Sequence, residues 1–244
     1  TMKQNTRIDY YERITKVRLY IEENINAQIS LETLASIACL SPYHFHRVFK
    51  GMNNGQTVAE YIRRLRLEKA ALKLLYSEQN VTDIAFECWY ETPESFSRAF
   101  RKRFGQLPSQ YKKDPKQRLT MSQRADFFTK TQEQETTMQE VKIKKIKARK
   151  VIFMRHIGPY EECGKAWEKL CKTVIPKGLV NKDSAFIGRC YDDPEITEPE
   201  KLRCDLCITV NTDVKPEGEL GIQEIPAGEF LTILHKGPYM TLKN

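Results

Sequence analysis

One stretch of this chain occurs twice, and that repeat limits the possible folds more than any other feature. Ser41-Pro42-Tyr43-His44-Phe45-His46-Arg47-Val48-Phe49-Lys50 is echoed by Thr92-Pro93-Glu94-Ser95-Phe96-Ser97-Arg98-Ala99-Phe100-Arg101. Each copy opens with a hydroxyl residue able to accept an orphan backbone N–H. Proline follows at the first helical position, where a missing N–H costs nothing. Two helices are therefore predicted. Phe45 and Phe49 lie four residues apart, as do Phe96 and Phe100, so each helix carries an apolar stripe for packing. The opposite face holds Tyr43, His46, Arg47 and Lys50 in one copy and Glu94, Ser97, Arg98 and Arg101 in the other, in the same register. Packing alone requires only the phenylalanines. An arginine-centred polar face kept in register twice implies something for that face to bind.

The flanks repeat as well. Leu34-Ala35 matches Ile84-Ala85, and Gly55-Gln56 with Tyr61 matches Gly105-Gln106 with Tyr111. The offset slips between fifty and fifty-one residues, which a single insertion near Glu91 accounts for. Each unit reads as a short helix, a tight turn and a second helix: a helix-turn-helix whose second helix is built to enter a DNA major groove. Between the units, Thr57-x-x-Glu60 is a capping box, and Val58 to Tyr76 contains no glycine or proline. A helix over these 19 residues spans about 28 Å at the usual rise, near the ~34 Å between successive major-groove faces.

Residues from about Ile8 to Lys113 resemble the DNA-binding region of the AraC/XylS family of bacterial transcription regulators, including the closing Phe104-Gly105-x-x-Pro108-x-x-Tyr111. The resemblance implies a sequence-specific regulator reading double-stranded promoter DNA. Carried over by position, it assigns base reading to Tyr43, His46 and Arg47, then Glu94, Ser95, Ser97 and Arg98. Lys50, Arg101 and the starts of both helices are candidate phosphate contacts, with Arg63 and Arg66 as further ones. One departure stands out. The family usually has glycine in each turn, where φ is positive, yet here Cys39 and Trp89 fill those positions.

Charge agrees with that placement. Residues 1–113 hold 18 Lys+Arg against 12 Asp+Glu, whereas the rest of the chain is nearly balanced at 22 against 20. A basic excess on the reading half suits a polyanionic partner. No apolar run approaches the roughly eighteen residues a membrane span requires, so a cytoplasmic location and no membrane partner are expected. Seven cysteines, an odd count, point to reduced thiols. Cys204-x-x-Cys207 sits in a strand-like run, where residues three apart face opposite ways, so no metal clip is expected there. No motif calls for a cofactor.

Residues 114–138 are polar and aperiodic and read as a linker, which places domain boundaries at 1–113 and 139–244. The second domain is also duplicated. Ile143-x-x-Ile146-x-Ala148 leads through Val151–Ile157 to Gly158-Pro159-Tyr160, and Ile222-x-x-Ile225-x-Ala227 leads through Phe230–Lys236 to Gly237-Pro238-Tyr239. Two β segments and a breaker occur in each copy, with a helix-like run, Glu161 to Val174, after the first. An α+β module of two ββα-type halves is expected, with a cleft where they meet. This half resembles GyrI-like effector-binding domains, which implies a small organic and often cationic ligand. Tyr160, Trp167 and Tyr239 are the aromatic candidates for it. The chain stops just past the second Gly-Pro-Tyr, so this module is expected to be C-terminally incomplete. Two other readings accompany that one: hydrolysis of a small electrophile, and contact with a protein such as RNA polymerase or a gyrase subunit.

Overall fold

A computed structural model describes residues 2–113, 142–211, 214 and 218–235, with side chains from Asp9 onward. The chain divides into a helical unit and an α+β unit. The expected linker at 114–138 lies outside the described residues.

The helical unit runs α1 (Met2–Glu23), α2 (Leu31–Ile37), α3 (Pro42–Met52), α4 (Val58–Tyr76), α5 (Val81–Glu87), α6 (Pro93–Phe104) and α7 (Pro108–Lys113). The caps form as local chemistry dictates. The Ser41 hydroxyl accepts from His44 N at 3.4 Å and the Thr92 hydroxyl from Ser95 N at 3.1 Å, while Thr57 and Glu60 complete a reciprocal capping box. Phe45, Phe49, Phe96 and Phe100 are all fully buried. The first pair packs with Ile14, Val17 and Ile21 of α1 and with Tyr61 of α4. In the second pair, Phe100 meets Tyr111 of α7 edge-on at 5.2 Å.

Both inter-helix turns close in the same way. Cys39 N donates to Ser36 O and Leu40 N to Ala35 O; fifty residues on, Trp89 N donates to Phe86 O and Tyr90 N to Ala85 O. This pair of bonds is a Schellman stop, which needs a left-handed residue just past the helix. Cys39 (φ 52°) and Trp89 (φ 61°) adopt that conformation without being glycine. The turn geometry expected of glycine is therefore kept, at a local cost that the surroundings must offset. The extra residue of the second turn is Glu91, which lies between the stop at Tyr90 and the cap at Thr92.

The α+β unit contains β1 (Lys142–Ile146), β2 (Arg149–Ile157), a short 3-10 turn (Tyr160–Glu162), α8 (Cys163–Val174), β3 (Phe186–Cys190), β4 (Arg203–Thr209), β5 (Leu220–Ile225) and β6 (Gly228–Thr232). An antiparallel four-stranded sheet has the order β3-β4-β2-β5, and β1 pairs with β6. The registers of the two ladders match. Ile143 faces Leu231 and Ile152 faces Ile222, and a shift of seventy-nine residues carries one pair onto the other. One sheet face, with Ile152, Met154, Cys204, Leu206 and Ile208, packs on Leu170 and Val174 of α8. The other carries buried Val151, Phe153, Asp205 and Cys207. On that face the Phe153 ring lies over Gly221, where an added Cβ would come within 2.4 Å of it.

Two details differ from the sequence expectation. β3 was not anticipated, because its alternation is short and interrupted by Gly188. The second β segment ends at Thr232 instead of continuing towards Lys236.

Candidate nucleic-acid interface

Burial of the phenylalanine stripes turns the polar faces of α3 and α6 outward. Tyr43 (75% exposed), Arg47 and Lys50 are exposed on α3; Glu94, Arg98 and Arg101 are exposed on α6. His46, Ser95 and Ser97 are half-buried. The Ser95 hydroxyl donates to Thr92 O at 2.8 Å, so its proton is committed to the helix start. Arg47 lies 5.9 Å from the Tyr43 ring centre, and the two side chains form one exposed cation–aromatic pair.

The other arginines of this unit are used differently. Arg13 bonds Ala38 O (2.9 Å) and Cys39 O (3.0 Å) and is itself held by Asp9, clamping the first turn. Arg18 reaches Met52 O and the Asn53 side chain, fixing the end of α3. Glu68 of α4 is buried and accepts from Arg64 (3.0 Å) and Arg103 (2.8 Å), tying α6 to the linking helix. Arg66 donates to Ile25 O (3.1 Å) and Ala27 O (2.7 Å). Its guanidinium is thus engaged by backbone carbonyls of the fold, whereas Arg63 stays exposed. Among the described residues, no ion pair engages Arg47, Lys50, Arg98 or Arg101.

Trp89 adds a tether that the sequence did not reveal. Its indole N–H donates to Asn26 O in the loop before α2, and Arg66 lies 6.0 Å from its ring. The second turn is thus attached to the first helix pair. A cleft of about 430 Å³ lies between them, lined by His46, Arg63, Arg66, Trp89 and Tyr90 among others. Arg13 and Trp89 hold the turns that lead into α3 and α6; the sequence marked Trp89 only as a turn residue and did not mark Arg13 at all. The only local signal for Arg13 was Asp9 at i−4.

Residues 34–114 match a family of helix-turn-helix domains, and residues 139–244 match the GyrI-like small molecule binding domain. The chain is 38% identical over 104 residues to the HTH-type transcriptional regulator YbfP of Bacillus subtilis, covering 42% of this chain but only 35% of YbfP. It is 33% identical to the transposon Tn10 TetD protein of Escherichia coli (45% of this chain, 83% of that protein). To the regulatory protein SoxS of Salmonella typhimurium it is 34% identical (38% of this chain, 86% of SoxS). The chain belongs to the AraC family.

In this AraC-family chain the aromatic candidates of the GyrI-like half are placed unequally. The Tyr160 hydroxyl donates to Asp192 O (2.7 Å) and accepts from Asp192 N (3.2 Å). Burial raises its pKa, and its polar end is spent on backbone. Trp167 is half-buried on α8, 6.0 Å from the exposed Phe186 ring. Tyr239 lies outside the described residues.

A polar network on the far sheet face was not foreseen. Fully buried Asp205 takes Arg155, the Tyr191 hydroxyl (2.7 Å) and the Gln223 amide (3.0 Å). Guanidinium groups of Arg155, Arg189 and Arg203 stand 4.9, 4.9 and 5.5 Å from the Tyr191 ring centre. Burial, followed by the Asp205 charge, holds the Tyr191 phenol well above its ordinary range. These groups satisfy one another, as buried charge requires. Among the described residues no cluster of His, Cys, Asp or Glu could hold a metal, and no helix is long and apolar enough to cross a membrane.

Proposed function

We propose that the helical unit, residues 1–113, is a DNA-binding domain of two helix-turn-helix units, α2–α3 and α5–α6, and that the whole chain is a transcription regulator. Arg47 and Arg98, with Tyr43, His46, Glu94, Ser95 and Ser97, read base edges in two adjacent major-groove segments. Lys50 and Arg101 hold phosphates. One observation carries this reading. The scaffold engages Arg13, Arg18, Arg64, Arg66 and Arg103 within the fold but leaves equivalent exposed arginines on both reading helices without an ion pair. Keeping such groups unpaired gains the fold nothing, whereas guanidinium groups on an exposed helix face can make bidentate contacts to guanine. α4, at 19 residues, sets a spacing of about one duplex turn. Selection of bound duplexes from a random pool tests the reading. Two short conserved blocks about one helical turn apart are expected, and enrichment without sequence preference would refute it.

The GyrI-like unit, residues 139–244, is the effector module, built of two related halves. The matched registers of the β1–β6 and β2–β5 ladders support the duplication, and the family's small-molecule description supports the role. Trp167 with Phe186 is the aromatic surface best placed to meet an organic ligand. Quenching of Trp167 emission by lipophilic cations, lost in Trp167→Phe, is the expected result.

A further inference from the structure

We propose that Cys190 and Cys204 form an oxidisable dithiol that peroxide converts to a reversible disulfide joining β3 to β4. The two residues stand directly opposite each other in the ladder, and their sulfurs are 3.3 Å apart. The neighbouring pair is the hydrogen-bonded one, since Tyr191 N donates to Arg203 O at 3.0 Å. Cys190 and Cys204 therefore occupy a non-hydrogen-bonded site, where side chains approach most closely and Cα atoms are about 4.5 Å apart. That lies just inside the roughly 4.4–6.8 Å range a disulfide accepts. A disulfide can therefore form without moving the backbone, and with Cys190 exposed it stays open to reduction, as a reversible modification requires.

The two thiols have complementary properties. Cys190 is exposed and open to a small oxidant, whereas Cys204 is 3% exposed, against α8. The hydrogen bond between the two sulfurs holds the Cys190 thiol below its ordinary pKa; the same bond, then burial, raises that of Cys204. Cys163, the first residue of α8, also hydrogen-bonds to Cys204, but burial raises its pKa. Cys207 is excluded as a partner because it sits on the opposite sheet face, near Gln223.

In the reaction the Cys190 thiolate attacks one peroxide oxygen. The O–O bond breaks, leaving Cys190 as a sulfenic acid and releasing water after protonation. Cys204 then gives up its proton and attacks the Cys190 sulfur, and the S–O bond breaks with loss of a second water. Both sulfurs are oxidised, and the peroxide is reduced to water. The new bond draws the Cys204 sulfur away from Cys163 and so alters the contact at the start of α8.

The test treats the reduced chain with hydrogen peroxide, alkylates it under denaturing conditions and maps the peptides by mass spectrometry. A Cys190–Cys204 linked peptide is expected, reversed by dithiothreitol, lost in Cys190→Ser and kept in Cys163→Ser. In Cys204→Ala, sulfenic acid should persist at Cys190 and be trapped by dimedone. A dominant Cys163–Cys204 link would overturn the proposal. So would Cys190 advancing to sulfinic acid while Cys204 stays a thiol, or no dimedone adduct at Cys190 in Cys204→Ala. Circular dichroism checks that each variant is folded.

Discussion

Cys39 and Trp89 occupy the same left-handed backbone position in the first and second helix pairs, and they are held there by different means. Around Cys39 the restraint is external: Arg13 of α1 bonds the carbonyls of Ala38 and Cys39. Around Trp89 the residue supplies its own restraint, through its indole bond to Asn26 O and its contact with Arg66. The outward faces diverge in the same way. α3 presents Tyr43, His46, Arg47 and Lys50, and α6 presents Glu94, Ser97, Arg98 and Arg101, on the same kind of hydroxyl cap and phenylalanine stripe. The backbone devices of a turn can thus be kept while the side chains that stabilise it, and those on the outward faces, change independently.

The largest expected effect separates the two anchors. Glu68→Ala leaves buried Arg64 and half-buried Arg103 without their carboxylate and should cost about 3–5 kcal/mol in urea unfolding. The counterpart at the first pair, Arg18→Met, removes hydrogen bonds to Met52 O and Asn53 and should cost about 1–3 kcal/mol. If the order were reversed, the first pair would be the more strongly anchored.

Next is the chemistry of the faces. Arg47→Ala and Arg98→Ala should each cost about 1–3 kcal/mol on a selected duplex, with relaxed preference at different base pairs. Lys50→Ala should weaken binding to selected and scrambled duplexes alike and lower the salt slope by about one. Titrations at two salt concentrations distinguish these outcomes. Equal losses on both duplexes for Arg47→Ala would reassign it to phosphate.

Smaller effects of opposite sign are expected at the turns. Cys39→Gly relieves the left-handed conformation and should stabilise by about 1 kcal/mol. Trp89→Gly gains the same relief but loses the tether and should destabilise by about 1 kcal/mol net. Thermal melts of both variants decide the matter, and stabilisation by both would mean that Trp89 is no anchor.

The smallest effect concerns the start of α4. The Thr57 backbone N–H, then its hydroxyl, holds exposed Glu60 below the ordinary carboxylate range. Because the folded-state pKa is depressed, the cap's contribution is present above the ordinary glutamate range and is lost as pH falls through the lowered value. The Thr57 amide resonance should report that transition and stay flat in Glu60→Gln.

Much of the helical unit could be read from the chain because its rules are short-range. A hydroxyl before proline, phenylalanines four apart and Thr57 three residues before Glu60 each act within one helical turn, so spacing alone is sufficient. Strand alternation likewise separated Cys204 from Cys207. Part of the candidate site was legible too: position in the repeat placed Arg47 and Arg98 on the exposed faces.

Other features had no local signature. Arg63 and Arg66 look alike in sequence, yet only Arg66 reaches carbonyls about forty residues earlier in the chain. The hydroxyl of Tyr160, the burial of Asp205 and the pairing of Cys190 with Cys204 all depend on strands or loops distant in sequence meeting side by side. The sequence by itself determined where helices start, which faces they bury and which residues they turn outward, because those follow from backbone periodicity and capping chemistry. Only the tertiary structure decided which charges are consumed by the fold and which thiols meet, because both depend on contacts between segments far apart along the chain.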